Sequence, residues 1–447
     1  MALIGHLLVD RRPRIGFILN TELAIIAASL AVVTFFLLGT PVVLCIGLWV
    51  SAVTLIIGDY GLLANIGQAS FSGLQSFALL AMPLFILTGD LVLRSGIAGA
   101  ITRLFGSLLG NTKGSTAITA LAASGAFAAV SGSNAATTAT IGNMMHREMV
   151  KEGYAPGFSA ATCASGGTVG IIIPPSVLFI VYGVLVSVSV GDLFIAGVLP
   201  GILMTTAMMA CALIMARRNN WGTTSHASSM RGILINMWQA KHAFFAVVFA
   251  IGGIYLGVFS PTEAAGVTVA YLAIATVAGG SIKLKEIPET MRGSAEVIGV
   301  LGPLIAFSVV LQQVFTFLGL DTKVQDVLSS LEGNNLIYAI IAIIFVSGMI
   351  LESLPNVIIW APILAPLAIE AGFDAVHFGV IFMVGIAIGF ITPPYGLNLF
   401  VASGITGIPF LTISRYVFPY VVGLLIVWMV VIAFPSLSLW LVPPVNR

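Results

Sequence analysis

The sequence predicts an all-α polytopic membrane protein built from two structural repeats with broken helices. Three observations predict it. First, 59% of the 447 residues are hydrophobic and only 8% are charged, against about 25% charged in a soluble domain. Second, apolar runs recur from end to end, with a mean hydropathy of +1.10. A spanning helix needs roughly 20 apolar residues, which leaves room for roughly ten to twelve spans. Third, two distant stretches match. Gly166 and Gly170 precede Pro174-Pro175, and Gly385 and Gly389 precede Pro393-Pro394, each inside an apolar run.

Composition also excludes. The apolar runs are continuous and not alternating, which argues against a membrane β-barrel. A net charge of +1 with no basic stripe argues against nucleic acid. Cys45, Cys163 and Cys211 lie in apolar segments without metal-like spacing. The histidines sit in or beside polar loops, and no His-Glu-x-x-His or Gly-x-Ser-x-Gly stands in the chain, so an intramembrane hydrolase is not expected. No Gly-x-x-x-x-Gly-Lys loop is present to cradle a nucleotide, which disfavours a primary pump. No organic cofactor is expected.

In chain order, Arg11, Arg12 and Arg14 precede the first apolar run, and the positive-inside tendency places that start in the cytoplasm. No small-residue cleavage site follows Leu23–Leu38, so this run is expected to stay as a membrane helix. Pro41–Gly58 is the second span. Asp59–Ser76 is mixed and suits an interfacial or re-entrant piece. Phe77–Leu93 is short for a span and ends beside Arg94, which suggests a re-entrant hairpin with Ile97–Leu109. Ser115–Val130 stops at Ser131-Gly132-Ser133-Asn134. After the polar stretch His146–Pro156, Phe158–Ile173 leads into the first Pro-Pro. Leu193–Met215 reads as an ordinary span.

Arg217–Lys241 is the longest polar stretch, basic and without an acid. It divides the chain into a first repeat with N-terminal helices (1–216), a basic cytoplasmic linker (217–242) and a second repeat (243–447). The second half holds further spans, of which Val376–Ile391 ends in the second Pro-Pro. Gly389 follows Gly170 by 219 residues, Pro393 follows Pro174 by 219, and Pro303 follows Pro83 by 220. The landmarks that recur are those that break helices.

Pro-Pro removes two backbone donors and disfavours helix in the residue before it. In lipid the freed carbonyls need a protein-lined polar cavity. Broken helices at matching places in two halves point to the binding site of a secondary transporter. Carbonyls with a nearby hydroxyl, Ser131 or Ser133 in one break and Thr392 in the other, suit a hard cation. A helix beginning after a break offers N–H groups to an anion. Glu352, directly after an apolar run, reads equally as a site residue and as a helix-end glutamate at the interface. Asp90 and Glu263 read as loop-end residues.

Six ordered motifs carry a family resemblance. They are Phe77–Gly89, Ser131–Gly142, Gly170–Ser176, Leu193–Gly201, Pro261–Ala265 and Gly389–Phe400. Together they resemble the large membrane subunit, DctM type, of TRAP transporters, from about Leu23 to about Phe434. The resemblance implies an elevator-type transporter with re-entrant hairpins, of the ion transporter superfamily kind, in the bacterial inner membrane. It implies Na+-coupled uptake of an organic acid, such as a C4-dicarboxylate, without ATP. It implies two partners besides the lipid bilayer: a small four-helix membrane subunit (DctQ type) and a periplasmic binding protein (DctP type). Carried over by motif, one Na+ site falls on Ser131, Gly170, Ile173 and Pro175. The second falls on Gly348, Gly389, Thr392 and Tyr395, where Tyr395 replaces a smaller residue. Substrate would sit near Ser133, Asn134 and Asn398. The nearest alternative is a self-sufficient Na+/divalent-anion elevator symporter that needs no binding protein.

Overall fold

The computed structural model describes residues 15–58, 64, 67–71, 74–110, 113–222, 229–329 and 334–443. Arg11, Arg12, Arg14 and His226 lie outside the described residues, as does most of the mixed stretch after Gly58. Among the described residues the regular structure is helical. The helices are α1 (Ile15–Leu37), α2 (Val42–Ile57), α3 (Ala81–Arg94), α4 (Ile97–Leu109), α5 (Ser115–Ser131), α6 (Asn134–Lys151), α7 (Pro156–Gly167), α8 (Val177–Val186) and α9 (Val190–Arg218). The second half has α10 (Met230–Gln239), α11 (Lys241–Tyr255), α12 (Pro261–Ala278), α13 (Ile287–Phe317), α14 (Leu320–Ser329), α15 (Asn334–Ile350), α16 (Ser353–Glu370), α17 (Ala375–Gly389), α18 (Leu397–Thr406), α19 (Phe410–Ala433) and a final turn, α20 (Ser436–Leu439).

The repeat seen in three landmarks extends to whole helices. The starts of α15, α16 and α17 follow those of α5, α6 and α7 by 219 residues. The starts of α18 and α19 follow those of α8 and α9 by 220. Lengths match as well: 17 residues in α5 and α15, 18 in α6 and α16, 10 in α8 and α18. Two sequences with few identical side chains thus break at the same places, because the breaks are written in Gly, Pro and capping residues and not in the apolar filling.

The described residues fall into two compact units. One comprises those up to Leu74 with Val300–Asp321, and the other comprises Gln75–Gly299 and those from Thr322 on. Two of the dividing points lie inside helices, one in α13 and one in α14. In the first unit, α1 and α2 turn at Gly39 and pack together, with Trp49 Nε1 donating to Ser29 Oγ at 2.9 Å. Trp49 also meets the Phe315 ring edge-on at 5.5 Å, and Gly47 leaves space for the Phe307 ring.

The second unit has its core in α5, α7 and α17. Every residue of α5 except Ala126 is buried, as are all of α7 after Pro156 and all of α17 from His377 on. In α5 and α7 this works because Ala, Ser, Gly and Thr let neighbouring backbones come close. The outer helices α9 and α19 keep apolar residues such as Ile202, Ile214, Leu411 and Phe418 exposed, as a lipid-facing surface requires. Both Pro-Pro breaks lie wholly within this unit.

Several expectations are corrected. Among the described residues six helices are long and apolar enough to span, or seven if the bent pair α10–α11 is one span, and not ten to twelve. Eight further helices hold shorter apolar stretches of 10–17 residues, among them part of the 23-residue α1. Left-handed glycines end several of them, Gly58 after α2, Gly132 after α5 and Gly407 after α18, short of the roughly 20 residues a span needs. Phe77–Leu93 is not too short, because a 3₁₀ turn at Phe77–Leu80 runs into α3 and makes an 18-residue helix. The expected span Leu193–Met215 lies within α9, which runs 29 residues. Part of the basic linker is helical. Ser229 caps α10 by accepting from Gly232 N–H at 3.1 Å, and α10 meets α11 at a 55° bend.

Candidate functional site

The first break begins where α5 ends. Gly132 takes a left-handed conformation (φ 59°) and turns the chain. Ser133 then caps α6, accepting from Ala136 N–H at 3.3 Å. Thr137, one turn into α6, donates its hydroxyl to the Ser133 carbonyl at 2.7 Å. That proton is then spent, so the 3.0 Å contact between Thr137 Oγ1 and Ser131 Oγ has Ser131 as donor. Both lone pairs of the Ser131 hydroxyl are left for another ligand.

The partner of this turn is the segment after α7. A helix pairs each carbonyl with the N–H four residues on, so Pro174 and Pro175 deprive the Gly170 and Ile171 carbonyls. The Ser176 hydroxyl takes Ile171 at 2.8 Å, and Ile173 N–H goes to Val169 at 2.9 Å. The Gly170 carbonyl is left without a helical donor among the described residues. The two pieces touch through glycine. A Cβ on Gly170 would lie 2.5 Å from the Ser133 carbonyl oxygen, and one on Gly132 would lie 2.5 Å from that of Pro175. Ser131, Gly170 and Pro175, predicted together, are therefore brought together. Ile173 lies between Gly170 and Pro175, partly exposed.

The second break repeats the logic with different side chains. Pro393 and Pro394 deprive the carbonyls of Gly389 and Phe390. Thr392 N–H covers Gly389 at 2.9 Å, and Asn398 N–H covers Phe390 at 3.0 Å. Thr392 Oγ1 donates to Ile388 at 2.8 Å and keeps its lone pairs. The Gly348 carbonyl faces Gly389 so closely that a Cβ on Gly389 would sit 2.3 Å from its carbon. Tyr395 N–H reaches the Met349 carbonyl at 3.3 Å. The Tyr395 ring is 41% exposed and lies 5.3 Å from the Phe400 ring, so its bulk stays outside the break.

Across both breaks the only carboxylate, imidazole or cationic side chain is Glu352, at the turn between α15 and α16, and no cluster of three metal-ligating side chains exists among the described residues. The chemistry on offer is carbonyl and hydroxyl oxygen around a helix C-terminus, whose dipole is negative. That set fits a hard monovalent cation. Four helices start after the breaks. Ser133, Ser176 and Glu352 cap α6, α8 and α16 with their side chains, while α18 starts at Gly396 without a side-chain cap. Glu352 is thus a helix cap, accepting from Leu354 N–H at 3.2 Å.

The substrate-site candidates divide. Ser133 is half-buried at the first turn. Asn134 and Asn398 are buried and hydrogen-bonded to each other. The sequence reading missed Thr137, Ser176 and Asn356. Asn356 is fully buried, touches Ser347 Oγ at 3.2 Å and lies 219 residues after Thr137. The repeat offset is the signal that could have found it.

The profile of the family described as "Tripartite ATP-independent periplasmic transporter, DctM component" matches residues 29–437. The chain belongs to that family, and with its apolar helices it is a multi-pass protein of the bacterial inner membrane. It is 31% identical over 410 residues to the isethionate TRAP transporter permease protein DctMQ of Oleidesulfovibrio alaskensis, covering 91% of this chain and 64% of that relative's length. It is 34% identical over 372 residues to the C4-dicarboxylate TRAP transporter large permease protein DctM of Pseudomonas aeruginosa, covering 83% and 87%. Its fold is similar to that of the Alcanivorax borkumensis YdaH transporter, whose crystal structure was reported to have an unusual topology. The TM-score is 0.63 at 14% identity, over 86% of this chain and 90% of that one.

Proposed function

We propose that this chain is the permease of a Na+-coupled uptake system for a small organic acid. Two Na+ ions occupy the two breaks, one at Ser131, Gly170, Ile173 and Pro175, the other at Gly348, Gly389, Thr392 and Tyr395. The observation that carries this is the matched pair of breaks, each bringing backbone carbonyls and a hydroxyl together with no cationic side chain among them. The acid sits between them, at Ser133 and at the start of α18, which has no side-chain cap and presents the positive end of its helix dipole to an anion. Isethionate and C4-dicarboxylates, named for the two relatives, are both small organic anions. A periplasmic binding protein delivers the acid, a small four-helix subunit braces the permease, and the hairpin-bearing part moves as an elevator.

Na+ that binds only the folded protein stabilises it, by about 2.7 kcal/mol at a hundred times its dissociation constant. The purified chain should therefore melt at a higher temperature in NaCl than in choline chloride. Ser131→Ala should need about 10- to 100-fold more Na+ for the same rise, since one lost cation ligand costs about 1.5–3 kcal/mol. Equal melting in the two salts would remove the two cation sites.

A further inference from the structure

One buried amide pair joins the two breaks. Asn134 Nδ2 donates to Asn398 Oδ1 at 3.2 Å, and Asn398 Nδ2 donates to the Ala164 carbonyl of α7 at 3.2 Å. The residues are 5% and 0% exposed. The space is closed around them: a Cβ on Gly167 would lie 2.8 Å from the Asn134 carbonyl oxygen and 3.0 Å from Asn398 Nδ2.

Each end of the pair is tied to a different break. Asn134 directly follows Ser133, and its backbone nitrogen lies 2.7 Å from where Gly170 would carry a Cβ. The backbone N–H of Asn398 holds the Phe390 carbonyl at 3.0 Å, the residue after Gly389, and so closes the second break. The link also has no symmetry mate. The repeat offsets of 219 and 220 place Ser353 and Leu178 at the equivalent positions, and leucine cannot make this bond. The Asn398 amide uses its oxygen and one N–H in these two bonds, and full burial closes it off from the surface.

We propose that Asn134 and Asn398 are positioning residues that couple the two cation sites and are not ligands of the substrate, an inference that rests on the two-cation reading above. A displacement of either break on ion binding passes to the other through two hydrogen bonds, Asn134 to Asn398 and Asn398 N–H to Phe390. Coupling of this kind is reciprocal, so each ion raises the affinity for the other.

The test is equilibrium binding of radioactive Na+ to the full chain in lipid nanodiscs, without any acid. The wild type should bind two ions with a Hill coefficient approaching about 2. Asn398→Ala should still bind two ions at saturation, with the coefficient falling to about 1 and half-saturation moving up several-fold. Asn134→Ala should do the same, and the double variant should be no worse than either, because both remove one link. Asn134→Ser, which keeps a polar group in less volume, is read the same way if Asn398→Ala does not yield monodisperse protein. A purely structural role would lower the amount of binding-competent protein and leave the coefficient unchanged, which would overturn the proposal. A wild type that binds two ions without cooperativity would overturn the coupling and leave the two sites standing. A wild type that binds fewer than two would overturn both.

Discussion

At the scale of single residues, the candidate sites depend on atoms that are absent as much as on those present. Gly389 and Gly348 touch backbone to backbone, with 2.3 Å between a would-be Cβ and a carbonyl carbon. Gly389→Ala must push a helix aside, and overpacking of this kind costs about 1–3 kcal/mol. The variant should melt at a lower temperature than wild type, and its Na+ response should weaken more than that of Ser131→Ala, because the displaced carbonyl belongs to the proposed ligand set. A second residue-scale effect lies away from the breaks. His146 sits at the polar end of α6, outside the candidate spans, with Nδ1 3.0 Å from Ser159 Oγ. Burial first, and then the neighbouring Arg147, hold its imidazole below the usual 6.5. The unfolded chain therefore takes up a proton that the folded chain resists. His146's contribution is complete above that value and is lost as pH falls through the depressed one. Melting temperature should drop between about pH 7 and pH 5, and drop less in His146→Gln.

At the scale of elements, the breaks work because proline withholds two N–H groups from the carbonyls four residues earlier. The double substitution Pro174→Ala with Pro175→Ala restores both donors. Helix α7 should then extend toward Ser176, and the first cation response should be lost by more than tenfold, about 1.4 kcal/mol, while helical content by circular dichroism does not fall. The same change at Pro393 and Pro394 should silence the second site. These breaks were legible in the sequence because Gly and Pro act on their own backbone. The repeat was legible in three landmarks and proved to run through five helix pairs. The number of spans was not, because hydropathy reports how apolar a run is and not where a capping serine or a left-handed glycine will end it. Helix α10 was hidden for the opposite reason: the basic residues of the stretch dominated a reading by charge, while Ser229 supplied the helix cap. The bond from Asn134 to Asn398 spans 264 residues of sequence, and nothing local announces a contact of that range. Thr137 was passed over because its role depends on which proton it spends.

At the scale of the whole molecule, membership of the TRAP permease family is shared with relatives named for different cargoes, and substrate choice would rest largely with the binding protein and only partly with this chain. On the proposed reading, the permease's own task is to couple ions to movement. Two Na+ moving down 100 mV contribute about 4.6 kcal/mol electrically, on the order of a thousandfold substrate gradient if the charge of the acid is set aside. That energy can be used only if ions and acid move together, which the placement of both breaks in one compact unit favours.

The most direct measurement is uptake into proteoliposomes that hold this chain with its small membrane partner, with the binding protein and candidate organic acids outside and an inward Na+ gradient imposed. Accumulation should require both Na+ and the binding protein, and should fall in Ser131→Ala and in Thr392→Ala. Accumulation by this chain alone would instead mark a self-sufficient carrier, and accumulation indifferent to Na+ would contradict the two cation sites on which the mechanism stands.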